Sequence, residues 1–141
     1  MPISKEEFVN LLNGDLGKEY STLIQYVQHS GVVTGAAYMG VKDEFIEHAE
    51  EELEHAETLS DQIAYLGGTP TAATGPAART SKDNIEMLQY DLELEEDAIR
   101  RYATRIKQAE ELNHLDVAQK LREILAVEQE HLFDLNHALG R

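Results

Sequence analysis

Two halves of this chain repeat one another, and the residues that repeat are ones an apolar core does not ordinarily accept. Glu19 and Glu95, Glu52 and Glu128, His55 and His131, and Tyr26 and Tyr102 are each separated by 76 residues. The acidic members sit on apolar seams. In one segment Ile85, Leu88, Leu92, Ile99, Tyr102 and Ile106 follow each other at helical spacing, and the seam position left between Leu92 and Ile99 is Glu95. A later segment runs Val117, Leu121, Ile124, then Glu128 and His131, then Leu135. The first stripe is Leu12, Leu16, Glu19, Leu23, Tyr26. The second is Phe45, Ala49, Glu52, Ala56, Leu59, Ile63, with His55 one turn from Glu52. Each of four helical segments therefore turns one Glu toward its core, and the second and fourth add a His. Four buried carboxylates at one level are prohibitive unless something neutralises them.

Glycine and proline divide the chain into those segments. Gly31, Gly35 and Gly40 mark one break, Gly67-Gly68-Thr69-Pro70 through Gly75-Pro76 a second, and Glu111 to His114 a weaker third. Between them lie runs of good helix formers, which predict helices over about 5–34, 39–66, 82–110 and 114–139. Ser4-Lys5-Glu6-Glu7 reads as a capping box, Gly67-Gly68 as a left-handed C-cap, and Thr80 or Ser81 as the third N-cap. The short connections make two antiparallel hairpins. The 67–80 connection reaches roughly 45 Å when extended, enough to run the length of a helix of roughly 40 Å. The prediction is an all-α four-helix bundle, two antiparallel hairpins joined by one long crossover, as a single domain over 1–141. A plain up-down bundle with a slack loop is the alternative. Equal heights in a hairpin lie symmetrically about its turn. Glu19 pairs with Glu52 about the Gly31–Gly40 region, and Glu95 with Glu128 about the 111–114 break.

Four carboxylates and two neutral imidazoles form an oxygen-rich, fairly hard donor set, and two divalent cations would balance four negative charges. A carboxylate from every helix plus Glu-x-x-His on two of them is the pattern of paired iron or manganese. Two iron ions are expected; manganese or zinc could take their place, zinc without redox chemistry. Glu-x-x-His alone is weak evidence, because Glu111/His114 and Asp134/His137 also have acid-x-x-His spacing. The first of these is assigned to a turn and the second to an exposed helix end. The net charge of −15 disfavours nucleic acid and anionic membrane and attracts cations. The absence of cysteine removes thiolate sites and disulfides. The stretch 20–41 lacks Asp, Glu, Lys and Arg but carries too many polar groups to face lipid. With no apolar leader at the N-terminus, a cytoplasmic protein is expected.

The motifs also resemble a known family. Leu16-Gly17-Lys18-Glu19 with Gln25-Tyr26, Glu52-Leu53-Glu54-His55-Ala56, Asp91-Leu92-Glu93-Leu94-Glu95, and Ile124-Leu125 followed by Glu128-Gln129-Glu130-His131 resemble, in order, the four helices of the bacterioferritins. The resemblance implies a ferritin-like fold with Glu19, Glu52, His55, Glu95, Glu128 and His131 as ferroxidase ligands. It makes Glu52 and Glu128 the bridges, and Glu19/His55 and Glu95/His131 the terminal pairs. Tyr26 matches the tyrosine that supplies an electron beside that centre; an aromatic seam residue is its plainer reading. Bacterioferritins bind haem through a Met directly after the first bridging Glu, where this chain has Leu53, so haem is not expected. The sequence given ends at Arg141, before a fifth helix of the kind that lines the channels of a 24-subunit shell, so a shell is not assumed.

The leading expectation is a ferroxidase that oxidises Fe(II) with O2 or H2O2 for storage or detoxification, in a homo-oligomer of at least two chains. A peroxidase or catalase with paired iron or manganese, of the rubrerythrin type, is a second reading. That type carries a Cys-rich domain and a further Glu where this chain has Ala98. A DNA-protecting starvation protein is a third, opposed by the charge.

Overall fold

Two of the four helices start on a side-chain cap, at Ser4 and Asp83, and three end beside a left-handed residue, at Gly67, Asn113 and Gly140. The computed structural model describes residues 2–141; Met1, the first residue of the expected domain, lies outside them. The helices are α1 Lys5–Val32, α2 Met39–Tyr65, α3 Asn84–Glu111 and α4 Leu115–Ala138, with one 3-10 turn, Ala36–Tyr38, ahead of α2. Ser4 Oγ accepts from the Glu7 N–H at 3.1 Å while the Glu7 carboxylate accepts from the Ser4 N–H at 3.4 Å, completing the capping box. Gly67 ends α2 at φ 89°, and the Gly68 N–H donates to the Ile63 carbonyl at 2.9 Å. Asn113, at φ 63°, does the same for α3, with the His114 N–H on the Ala109 carbonyl at 2.8 Å.

Two boundaries differ from expectation. The cap of α3 is Asp83, not Thr80 or Ser81; its Oδ1 accepts from the Ile85 and Glu86 N–H groups at 2.9 and 3.4 Å. A charged acceptor is favoured over a hydroxyl at the positive end of the helix dipole. α1 stops at Val32 rather than 34 because Val33 is already extended, at φ −55° and ψ 135°.

The crossover climbs α1 residue by residue, which settles the topology. Asn13 donates to the Thr69 carbonyl at 3.1 Å and accepts from the Thr71 N–H at 2.9 Å. The Gly75 N–H reaches the Gly17 carbonyl at 2.8 Å, and the Arg79 N–H reaches Gln25 Oε1 at 2.9 Å. At the top, Asn84 donates to the Thr34 carbonyl at 2.7 Å. α3 therefore starts where α1 ends, and the order is up-down-down-up with α1 against α3 and α2 against α4. The close approach favours glycine at 17: a Cβ there would lie 3.2 Å from the Ala73 carbonyl oxygen and 3.3 Å from the Gly75 nitrogen, so the crossover would have to move back by a few tenths of an ångström.

The core is two apolar layers with a polar layer between them. One holds Phe8, Leu12, Leu16, Leu59, Ile63, Tyr102, Val117 and Leu121; the other holds Tyr26, Phe45, Met87, Leu88 and Leu135. Ile85 departs from the expected stripe, being exposed on the first turn of α3 while Met87 is buried. Leu23 is only half-buried and Thr22 lies inside. Both follow from the drift of a 3.6-residue helix against a stripe of strict threes and fours.

Candidate metal centre

The polar layer is built from the six seam residues. Glu19 of α1, Glu52 and His55 of α2, Glu95 of α3, and Glu128 and His131 of α4 are all buried. They divide into two overlapping groups, Glu19, Glu52, His55 and Glu128, and Glu52, Glu95, Glu128 and His131, in each of which the donor atoms lie within 4.8 Å of one another. Glu52 and Glu128 belong to both. His55 Nδ1 is 3.2 Å from Glu128 and 3.8 Å from Glu19 and from Glu52. His131 Nδ1 is 2.7 Å from Glu95, 3.1 Å from Glu52 and 3.5 Å from Glu128.

These atoms converge without satisfying one another. Both oxygens of Glu52, Glu95 and Glu128, Oε2 of Glu19, and Nδ1 of both histidines are buried and lack a hydrogen-bond partner. So many orphaned buried acceptors in one place are untenable as a purely structural arrangement and fit a pair of cations well. The electrostatics say the same. Burial, then the neighbouring Glu52, push the Glu128 carboxyl up to about 8, against the pull of His55. Burial, with Glu128 and Glu52 close by, holds Glu95 well above its ordinary range. Burial opposes charge on His131, but the Glu52 and Glu95 carboxylates beside it outweigh that and push it up to about 12. His55 is raised in the same sense by Glu128, Glu19 and Glu52. The cluster pulls positive charge into itself, by proton or by metal.

Several supporting residues were not legible as site residues. Tyr102, known from the sequence only as a stripe residue and the repeat mate of Tyr26, donates its hydroxyl to Glu19 Oε1 at 2.5 Å. Glu51 Oε1 lies 3.2 Å from His131 Nε2, where it orients the ring. Buried Asp15 receives Arg105 Nε at 2.7 Å and Arg101 Nη1 at 2.8 Å. Buried Asp91 receives Gln25 Nε2 at 2.8 Å and faces His29 Nδ1 at 2.9 Å. Asp15 and Asp91 are also 76 residues apart, each four before a seam Glu, and that offset was the available signal. Tyr26 is fully buried, its ring 6.3 Å from that of His131 and its hydroxyl unpartnered. Burial, then Glu95 and Asp91, keep it a neutral phenol. Asp134, read as part of an exposed helix end with His137, is 41% exposed there and also meets His48 of α2 at 3.3 Å.

Four antiparallel helices with one inward Glu each, and a Glu-x-x-His on two, define the class of carboxylate-clustered four-helix bundles. Residues 9–141 match the ferritin-like domain family. The chain belongs to the ferritin-like family, whose members bind iron. A ferritin-like, diiron-carboxylate protein from Bacillus anthracis superposes with a TM-score of 0.92 at 34% identity, over 99% of each chain. A dodecameric thioferritin from Bacteroides fragilis gives 0.90 at 29%, over 99% of this chain and 88% of that one. Bacterioferritin BfrA of Mycobacterium tuberculosis is 27% identical over 126 residues, 89% of this chain and 79% of that protein. Among the described residues no helix is long and apolar enough to cross a membrane.

Proposed function

We propose that this chain is a ferroxidase that takes two Fe(II) ions as substrate at the buried cluster. The observation that carries the reading is the pair of donor groups sharing Glu52 and Glu128, with their carboxylate oxygens unpartnered. In it, Glu52 and Glu128 would be shared between the two ions, Glu19 and His55 would complete one site, and Glu95 and His131 the other. Each ion loses one electron, so the pair reduces H2O2 with two protons to two waters, or O2 with two protons to H2O2. The protein binds the ions in a site closed by apolar layers above and below, Tyr102 fixes Glu19, and Glu51 fixes His131. Tyr26, beside His131, would supply the second electron when a single Fe(II) is bound: one Fe(II), the phenol, H2O2 and one proton give Fe(III), a tyrosyl radical and two waters. The likeness to a diiron-carboxylate protein and to bacterioferritins supports iron storage or detoxification as the purpose, in a homo-oligomer.

Anaerobic Fe(II) titration followed by O2, read by ultraviolet-visible absorbance, tests it. Saturation at two ions per chain with oxidation much faster than in buffer is expected, and both are lost in E128A. Wild-type oxidation rates in E128A would sink the reading.

A further inference from the structure

A second group of donors lies beside the first and outside it. Glu44 and His48 on α2 and Asp134 on α4 bring one carboxylate oxygen, one imidazole nitrogen and one carboxylate oxygen within 4.8 Å of one another. They line a cleft of about 370 Å3 whose other walls include Val41, Phe133 and His137. The histidine is what makes this more than a solvated acidic patch. His48 is 1% exposed, its Nδ1 has no partner, and its Nε2 is turned to the cleft, 3.3 Å from both Glu44 Oε2 and Asp134 Oδ2. One N–H shared between two carboxylates satisfies neither well, whereas a cation would meet all three groups.

Bundle packing does not demand these residues. At the 76-residue offset Glu44 corresponds to Lys120, His48 to Ile124 and Asp134 to Thr58. The repeat that preserves the central ligands is broken here, in one half only. The position is also connected to the centre: the His48 ring stacks on His131 at 3.9 Å, and Glu51 bridges toward the same histidine at 3.2 Å.

We propose that Glu44, His48 and Asp134 form a third divalent-cation site, a staging position between the surface cleft and the paired site. The staging role rests on the ferroxidase reading; the site itself does not. Zn(II) is the probe, counted by equilibrium dialysis against the full chain. Wild type is expected to hold three ions. E44Q/D134N, which changes only side chains that are 47% and 41% exposed, is expected to hold two. E52Q/E128Q is expected to keep one. Saturation of wild type at two, an unchanged count in E44Q/D134N, or loss of every ion in E52Q/E128Q would each overturn the site. Stopped-flow oxidation at limiting Fe(II) tests the staging role. About a tenfold slower filling phase in E44Q/D134N, with the final amplitude kept, is expected; an unchanged rate would overturn that role.

Discussion

If the buried carboxylates exist for metal rather than for the fold, then replacing one of them by a group that cannot ionise should stabilise the metal-free protein. Glu128 is the informative position, because it is fully buried and shared between both donor groups. Its carboxyl is pushed from the ordinary 4.5 up to about 8, by burial first and Glu52 second. A carboxyl whose folded value is raised contributes stability that is complete below 4.5 and is lost as pH rises through 8. At pH 7 the unfolded chain is ionised and the folded one is mostly protonated. With about 1.36 kcal/mol for each factor of ten, ionisation then costs the fold about 3 kcal/mol. Gln has the shape of the protonated acid and never ionises, so E128Q should recover that amount. For a domain of this size it corresponds to a rise in Tm of about 10 °C. The assay is thermal unfolding by circular dichroism in EDTA at pH 4.5 and 7.5, repeated with saturating Zn(II). E128Q should match wild type at pH 4.5, exceed it at pH 7.5, and gain far less from Zn(II). An E128Q protein less stable than wild type in EDTA at pH 7.5 would refute the reasoning and make Glu128 a structural group.

Other perturbations separate the parts of the site. R105A leaves buried Asp15 with Arg101 alone and should cost about 3 kcal/mol in urea unfolding. G17A drives a Cβ into the crossover at 3.2 Å and should lower Tm by several degrees, with faster proteolysis within 69–79, while Zn(II) stoichiometry is kept. Y102F removes the 2.5 Å bond to Glu19 and should weaken metal binding by about tenfold in titration. Y26F breaks no hydrogen bond, so it should bind Fe(II) as wild type does and show its defect only as slower oxidation in stopped flow.

The central cluster was readable in the sequence because a Glu inside an apolar stripe is conspicuous, and because a constant offset ties four such positions together. Helix number, the hairpins and the long crossover followed from Gly and Pro placement and from simple lengths. What stayed hidden depends on a partner in another helix. Arg101 and Arg105 look like ordinary charges on an exposed face of α3 until packing brings Asp15 between them. His48 sits in a strongly acidic run of α2 with no counterpart at the repeat distance, so neither periodicity nor symmetry singles it out. The start of α3 was misplaced because Thr80, Ser81 and Asp83 can all cap. The dipole's preference for a charged cap is reinforced by tertiary contacts, with Asn84 drawn to Thr34 and Arg79 to Gln25.

The two halves diverge where the crossover touches them. Asp15 and Asp91 occupy equivalent positions, and so do Gln25 and Arg101, and His29 and Arg105, all at the 76-residue offset. Each Asp joins α1 to α3 one turn from a buried seam Glu, so both networks brace the same helix pair on either side of the polar layer. Two arginines close the Asp15 side. On the Asp91 side the crossover runs past, and the partners face it as well as the acid. Gln25 accepts from the Arg79 N–H at 2.9 Å, and His29 Nε2 meets the Arg79 carbonyl at 2.7 Å. An arginine, which only donates, could not serve a backbone N–H; a glutamine can donate to the aspartate and accept from the loop at once. The asymmetry of a duplicated scaffold is thus explained by the one element that was not duplicated. The crossover is fastened at Arg79 to the buried Gln25, His29 and Asp91 network, one helical turn from Glu95.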